Sequence, residues 1–153
     1  MTQRIETVEA LREVIAEPND AVKVKLGDTL DGFARDFIAE CPFLVMATSA
    51  ADGRADASPK GDAPGFVLVE DDHTLVIPDR PGNNLAFGLT NIVETGRIGL
   101  LFVIPGTTET LRVNGRAELD RDPELLDRLA ARGKPALLAI RVTVEEVFFH
   151  CAK

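Results

Sequence analysis

Two polar stretches carry most of the chemistry available to this chain. Ser58-Pro59-Lys60-Gly61-Asp62 and Pro78-Asp79-Arg80-Pro81-Gly82-Asn83-Asn84 set shape-fixing Gly and Pro among hydrogen-bond donors. Those donors are the Ser58 hydroxyl, the Lys60 ammonium, the Arg80 guanidinium and the two asparagine amides, a set suited to an oxyanion. Between residues 52 and 62, Asp52, Asp56 and Asp62 stand against Arg54 and Lys60, so no general basic patch exists. An anion here would depend on aimed hydrogen bonds and on the N-terminus of a helix beginning near Asn84. Two tight turns would account for the Gly, Pro, Asn and Asp usage alone, but less well for Lys60 and Arg80.

Other chemistries find little support. Ser58 precedes a proline outside any nucleophile elbow, and only His73 and His150 could act as a base. His73 lies in the acidic turn Glu70-Asp71-Asp72-His73 and reads as a solvated residue; His150, after Val147-Phe148-Phe149, reads as a packed strand end. Cys41 and Cys151 are far apart and have no ligand-spaced partner, which favours reduced thiols over a disulfide or a metal site. No Walker loop and no dinucleotide glycine fingerprint occurs.

The bulk properties bound the partners. A chain of 153 residues fits one domain, and its formal charge of −8 repels polyanions, so nucleic acid and acidic membrane surfaces are poor partners. No apolar run is long enough to span a bilayer, and Met1-Thr2-Gln3-Arg4-Ile5-Glu6 lacks a signal-peptide layout, so the expected compartment is cytoplasmic.

The elements that must position the two polar stretches are mostly strands. Helices are expected over 5–16, from a cap at Asp28 or Thr29 to Cys41, over 84–95 and over 123–132. Strands are expected over 43–48, 54–58, 66–69, 74–77, 98–104, 110–119 and 136–144, with 146–149 as a continuation or a partner. Ser58–Asp62 and Pro78–Asn84 are expected to be loops. Hairpin-short connections and the lack of regular strand-helix alternation point to a mainly β or α+β fold, an antiparallel β-barrel with flanking helices.

Several blocks then form a pattern. Asp56 to Asp62, Pro64-Gly65-Phe66-Val67, Pro78 to Asn84, Gly99 to Phe102 with Pro105-Gly106, Glu109 to Ala117, and Phe149-His150-Cys151-Ala152-Lys153 occur in this order. Together they resemble the pyridoxamine 5′-phosphate oxidase-like flavoproteins, specifically a bacterial group of small FMN-dependent members. The resemblance covers most of residues 33–153. It implies a split β-barrel that forms one domain over 1–153, with 1–42 as a helical segment packed on it. It also implies a homodimer with FMN at the subunit interface.

In that arrangement Ser58, Pro59, Lys60 and Gly61 would run along one side of the flavin and its phosphate tail. Pro78, Asp79 and Arg80 would lie near the ring, with Gly82, Asn83 and Asn84 near the phosphate. Arg112 and Asn114 would reach in from strands at the interface. The implied activity is FMN-dependent oxidoreduction of a small organic substrate, or with a nicotinamide electron donor. No catalytic side chain is singled out, because the flavin itself carries the electrons.

Two departures keep a second reading open. Leu85 stands where relatives usually carry arginine, and loss of such a charge-assisted contact costs on the order of 1.5–3 kcal/mol. Its spacing with Leu89, Ile92 and Val93 suits a buried helix face. The sequence also ends at Lys153, where relatives commonly continue into an Arg/Trp-containing tail. The second reading is a non-catalytic ligand-binding or interaction protein on the same dimeric barrel, with weak or lost FMN binding.

Overall fold

Short apolar or alternating runs with side chains that alternate between a buried and a more exposed face build the sheet. In a computed structural model that describes residues 4–151, seven strands form: β1 (Phe43–Ser49), β2 (Ala55–Gly61), β3 (Leu68–Asp71), β4 (Thr74–Asp79), β5 (Arg97–Val103), β6 (Glu109–Asp120) and β7 (Leu138–Cys151). Their order in one sheet is β2-β1-β5-β6-β7-β4-β3, with every pairing antiparallel. This is the expected split β-barrel. Its two ends, β2 and the β3-β4 hairpin, share no ladder. Side chains bridge them instead: Lys60 on β2 pairs with Asp79 at the end of β4, and Arg80 Nε lies 3.2 Å from Asp62 Oδ2.

The inward residues form the core. Leu44 and Met46 of β1, Leu100 and Phe102 of β5, Leu111 and Val113 of β6, and Ile140 and Val142 of β7 are buried together. Helix α3 (Gly32–Glu40) is capped by Asp31, whose Oδ1 accepts from Ala34 N at 2.9 Å, and it adds Ala34 and Ile38 to that core. A smaller cluster forms where Leu125 of α5 (Pro123–Arg128) and Leu129 cover Val76 of β4 and Ala139 of β7. Asp122 caps α5, with proline in its first turn, as the sequence pattern requires.

The structure differs from the sequence reading in several places. Ser58 to Gly61 belong to edge strand β2 rather than to a loop, and an edge tolerates Pro59, which lacks an N–H. Pro78 and Asp79 likewise complete β4. The break expected near residue 145 is a bulge within one long strand: Asn114 opposes Glu146 while Gly115 opposes Val144. Gly115 is obligatory there, since an added Cβ would sit 2.1 Å from the Thr143 carbonyl oxygen. In the segment before β1, α1 (Val8–Val14) and the unanticipated α2 (Asp20–Lys23) bury none of their residues. Their large apolar side chains stay exposed, and within this segment the Gly27–Val147 bridge, Leu30, α3 and Cys41 pack on the barrel. Among the described residues, no helix is long and apolar enough to cross a membrane.

Candidate functional site

Helix α4 (Phe87–Thr95) is held across β1 by two contacts. Asn91 Nδ2 donates to Thr48 Oγ1 at 3.0 Å, both residues buried, and Thr95 Oγ1 lies 3.0 Å from the Ser49 carbonyl oxygen. This brings the N-terminus of α4 against β2. Gly88 permits the approach, because a Cβ there would stand 2.8 Å from Met46 Cε, 3.4 Å from Asp56 Oδ2 and 3.6 Å from Ser58 Oγ.

The entry to α4 is unusual. Asn84 and Ala86 both have left-handed backbone, at φ 61 and 53. Asparagine tolerates that region, whereas alanine meets a steric penalty. Ala86 is the N-cap residue and offers no side-chain acceptor, so the first-turn N–H groups lack a side-chain cap. Asn83 Oδ1 accepts from Leu85 N at 3.0 Å and fixes the loop just before. The helix expected from residue 84 therefore begins three residues later.

This helix end opens into a cavity of about 630 Å³, a size ordinary for a small-molecule site. Ser58, Pro59, Lys60, Gly61, Pro78, Asp79, Arg80, Gly82, Asn83 and Asn84 all line it. The tertiary fold thus gathers these ten around one space. Arg112 and Asn114 do not join them. The ladder pairs Arg112 with Leu101, Leu101 with Val45 and Val45 with Pro59, whereas Ser58 pairs with Met46 and points the other way. Arg112 and Asn114 therefore occupy the opposite face of the sheet from Asp56, Ser58 and Lys60. There the Arg112 guanidinium stacks 4.8 Å from the Phe148 ring centroid, and Asn114 Nδ2 donates to Glu146 Oε1 at 2.7 Å.

The cations of the cavity are already engaged. Lys60 is paired with Asp79, which is buried. Arg80 pairs with Asp62 and donates through Nη1 to the Leu129 carbonyl at 2.8 Å. The Ala63 N–H, then the Arg80 guanidinium, hold the Asp62 carboxyl below its ordinary range. With Asp56 included, three carboxylates face two cations in this lining. The donors left for an oxyanion are the uncapped N–H groups of α4, the Ser58 hydroxyl and the side-chain amides of Asn83 and Asn84. These fit a phosphate group, for which a helix N-terminus is a natural seat.

Asp56, Leu85, Phe87 and Gly88 also line the cavity and were not among the expected site residues. No local signal marks Gly88, and alanine at position 86 gives no hint of left-handed backbone. Leu85 does not pack on a buried helix face: it precedes α4 and is 57% exposed, and Val93 is 74% exposed. His150 is exposed at the end of β7 rather than packed, and His73 sits elsewhere, with Nδ1 3.0 Å from the Asp28 carbonyl oxygen. Cys41 and Cys151 are both free thiols. Burial pushes the Cys41 thiol up, away from nucleophilic use.

Residues 30–151 match the family model described as pyridoxamine 5′-phosphate oxidase. No curated protein sequence matches the chain. Among solved structures, a putative pyridoxamine 5′-phosphate oxidase from Lactobacillus delbrueckii is 22% identical, with 80% of this chain and 95% of that chain covered and a TM-score of 0.62. HupZ of Group A Streptococcus is 21% identical over 75% of this chain and 89% of its own, at a TM-score of 0.61. An FMN-binding protein from Syntrophomonas wolfei is 13% identical, with coverages of 76% and 82% and a TM-score of 0.59. At such identities the structural likeness concerns the fold alone.

Proposed function

Since the chain belongs to the pyridoxamine 5′-phosphate oxidase family, we propose that it binds FMN in the cavity at the head of α4 and serves as an FMN-dependent oxidoreductase for a small organic substrate. The observation that carries this reading is the uncapped, left-handed entry to α4, which opens beside Ser58 on a cavity of about 630 Å³. The N–H groups at the start of α4 and the Ser58 hydroxyl would hold the phosphate. Asn83 orders the loop by accepting from Leu85 N. Gly88 keeps the helix close enough for both sets of donors to meet one ligand. Pro59, Pro78 and Phe66 supply rigid or apolar wall that excludes water from a ring system. Lys60 and Asp79 would form a neutral pair beside the ring. The flavin, when bound, supplies the two-electron chemistry, with a nicotinamide or another small organic molecule as electron donor.

The homodimer belongs to the same proposal. Arg112 and Asn114 lie on the sheet face opposite Ser58 and Lys60. Within one chain the two sets face different spaces; a second copy docked on the outer face of β1, β5 and β6 would let both serve one flavin. That face presents Val45, Ala47, Leu101 and Val103, side chains small or apolar enough to be covered.

One observation favours the second reading, a non-catalytic ligand-binding or interaction protein. Lys60 and Arg80 are both committed to internal carboxylates, and Leu85 contributes no charge at the cavity mouth. Titration of purified protein with FMN, followed by flavin fluorescence and visible absorption, separates the readings. Saturable binding and reduction of the bound flavin by a nicotinamide donor are expected. No binding at roughly millimolar FMN, an interaction weaker than about −4 kcal/mol, would sink the cofactor assignment.

A further inference from the structure

A second cavity, of about 800 Å³, lies on the other side of the Arg80–Asp62 pair, between α3, the 62–69 segment and the end of α5. Its electrostatics are the reverse of the first. Arg35, Arg80, Arg128 and Arg132 line it, with Asp62 as the one acidic residue in the lining. In a chain of net charge −8 such a concentration of guanidinium groups is not an average surface. Their engagement falls off across the cavity. Arg35 pairs with Asp72 at 2.5 Å and Arg80 with Asp62. Arg128 reaches only to 3.9 Å from Glu70 Oε1, too long for a hydrogen bond, and Glu70 is already taken by Arg141. Arg132 makes no hydrogen bond or close ion pair to any described residue, its charge reaching Asp62 only through space.

The backbone holds Arg132 at some cost. It has φ 53, and Gly133 follows at φ 74, so two consecutive left-handed residues form the tight turn bridged by Ala131 and Lys134. Asparagine, aspartate or glycine would take the first of those positions more easily. The rest of the lining is small or apolar, with Ala39, Phe66 and Leu129 among it. Gly65 allows this wall to form, since a Cβ there would lie 2.9 Å from the Ala39 carbonyl oxygen.

We propose that this second cavity is a binding site for a small organic oxyanion, with Arg128 and Arg132 gripping the anionic head and Phe66 and Leu129 contacting an apolar body. Two guanidinium forks suit the planar or tetrahedral oxygens of a carboxylate or a phosphate monoester. The site does not depend on the flavin assignment, although Phe66 and the Arg80–Asp62 pair line both cavities.

The test is calorimetric titration of the full chain, without flavin, at low salt. The probes are phenyl phosphate, benzoate, inorganic phosphate and the neutral benzamide. Saturable binding of phenyl phosphate or benzoate below roughly 10 mM is expected, weakening as salt is added, with benzamide at least about tenfold weaker. Whichever of the two aromatic anions binds more tightly identifies the head group. Inorganic phosphate is expected to bind less well than phenyl phosphate, for want of the apolar contact. The double variant Arg128→Gln/Arg132→Gln should lose about tenfold or more in affinity and keep its FMN titration unchanged; Arg132→Gln alone should lose part of it. Absence of binding by the wild-type chain, benzamide binding as well as the anions, or undiminished affinity in the variants would each overturn the proposal.

Discussion

Lys60→Met tests whether ion pairs rather than backbone ladders hold the barrel shut at its split. The Lys60 and Asp79 side chains are 19% and 10% exposed. Removing the ammonium leaves the Asp79 carboxylate largely out of water with no other cation paired to it. Breaking a fully buried pair in this way costs about 3–5 kcal/mol, and the residual exposure of both groups reduces that to about 2–3 kcal/mol. In a domain of this size each kcal/mol lowers Tm by roughly 2–4 °C, so the variant should melt about 4–12 °C below the parent. Lys60→Met combined with Asp79→Leu removes both charges beside Phe66 and Leu138, which line the same cavity. Such replacement of a buried pair is often neutral, so most of the loss should return. Scanning calorimetry and urea unfolding of the two single variants and the double variant supply the coupling energy. An unchanged Tm for Lys60→Met would refute the reasoning, as would a double variant as unstable as the sum of the singles.

Three further outcomes are expected. Gly115→Ala, whose methyl would stand 2.1 Å from the Thr143 carbonyl oxygen between two central strands, should cost more than about 3 kcal/mol or prevent folding, read by circular dichroism and urea unfolding; a variant as stable as the parent would show that the bulge yields. Leu85→Arg restores a cation at an exposed position on the cavity and should tighten FMN binding about tenfold without lowering Tm, by fluorescence titration; equal or weaker affinity would place the phosphate elsewhere. Stability should fall in acid. Asp62 is held low by the Ala63 N–H and Arg80, and Asp120 by the Asp122 N–H and Arg141. Because their folded values lie below the unfolded ones, their stabilisation is complete above about pH 4 and disappears as pH falls through the depressed values. A Tm that holds steady or rises on going from about pH 4 to about pH 2.5 would contradict this.

The legible part of this protein lies in its short-range patterns. The apolar runs 43–48 and 98–104 and the alternating stretch 110–119 survive as β1, β5 and β6, with ends moved by a residue or so. Asp122-Pro123 starts α5 and Gly96 ends α4 with left-handed backbone, as such residues require. The stripe of Val8, Leu11 and Val14 marked a helix, α1, but amphipathic spacing specifies a face and not what covers it. Position 86 was illegible for a different reason: alanine seldom takes φ > 0, so only the surrounding packing forces it there.

The sequence by itself determined which residues were suited to an oxyanion, and local order sufficed to group Ser58 to Gly61 and Pro78 to Asn84 as neighbours of strands. Only the tertiary structure decided how those residues are spent. Lys60 meets Asp79 across 19 positions, Arg80 meets Asp62 across 18, and Arg80 reaches the Leu129 carbonyl across 49. Such pairings arise when a sheet closes on itself, and no window of sequence contains them. The strand register likewise put Arg112 and Asn114 behind the sheet, because side chains alternate faces at every step along a strand. Charge followed the same logic: the basic cavity draws one arginine each from α3, the residue after β4, the end of α5 and the turn at 131–134, segments far apart in sequence except for the last two.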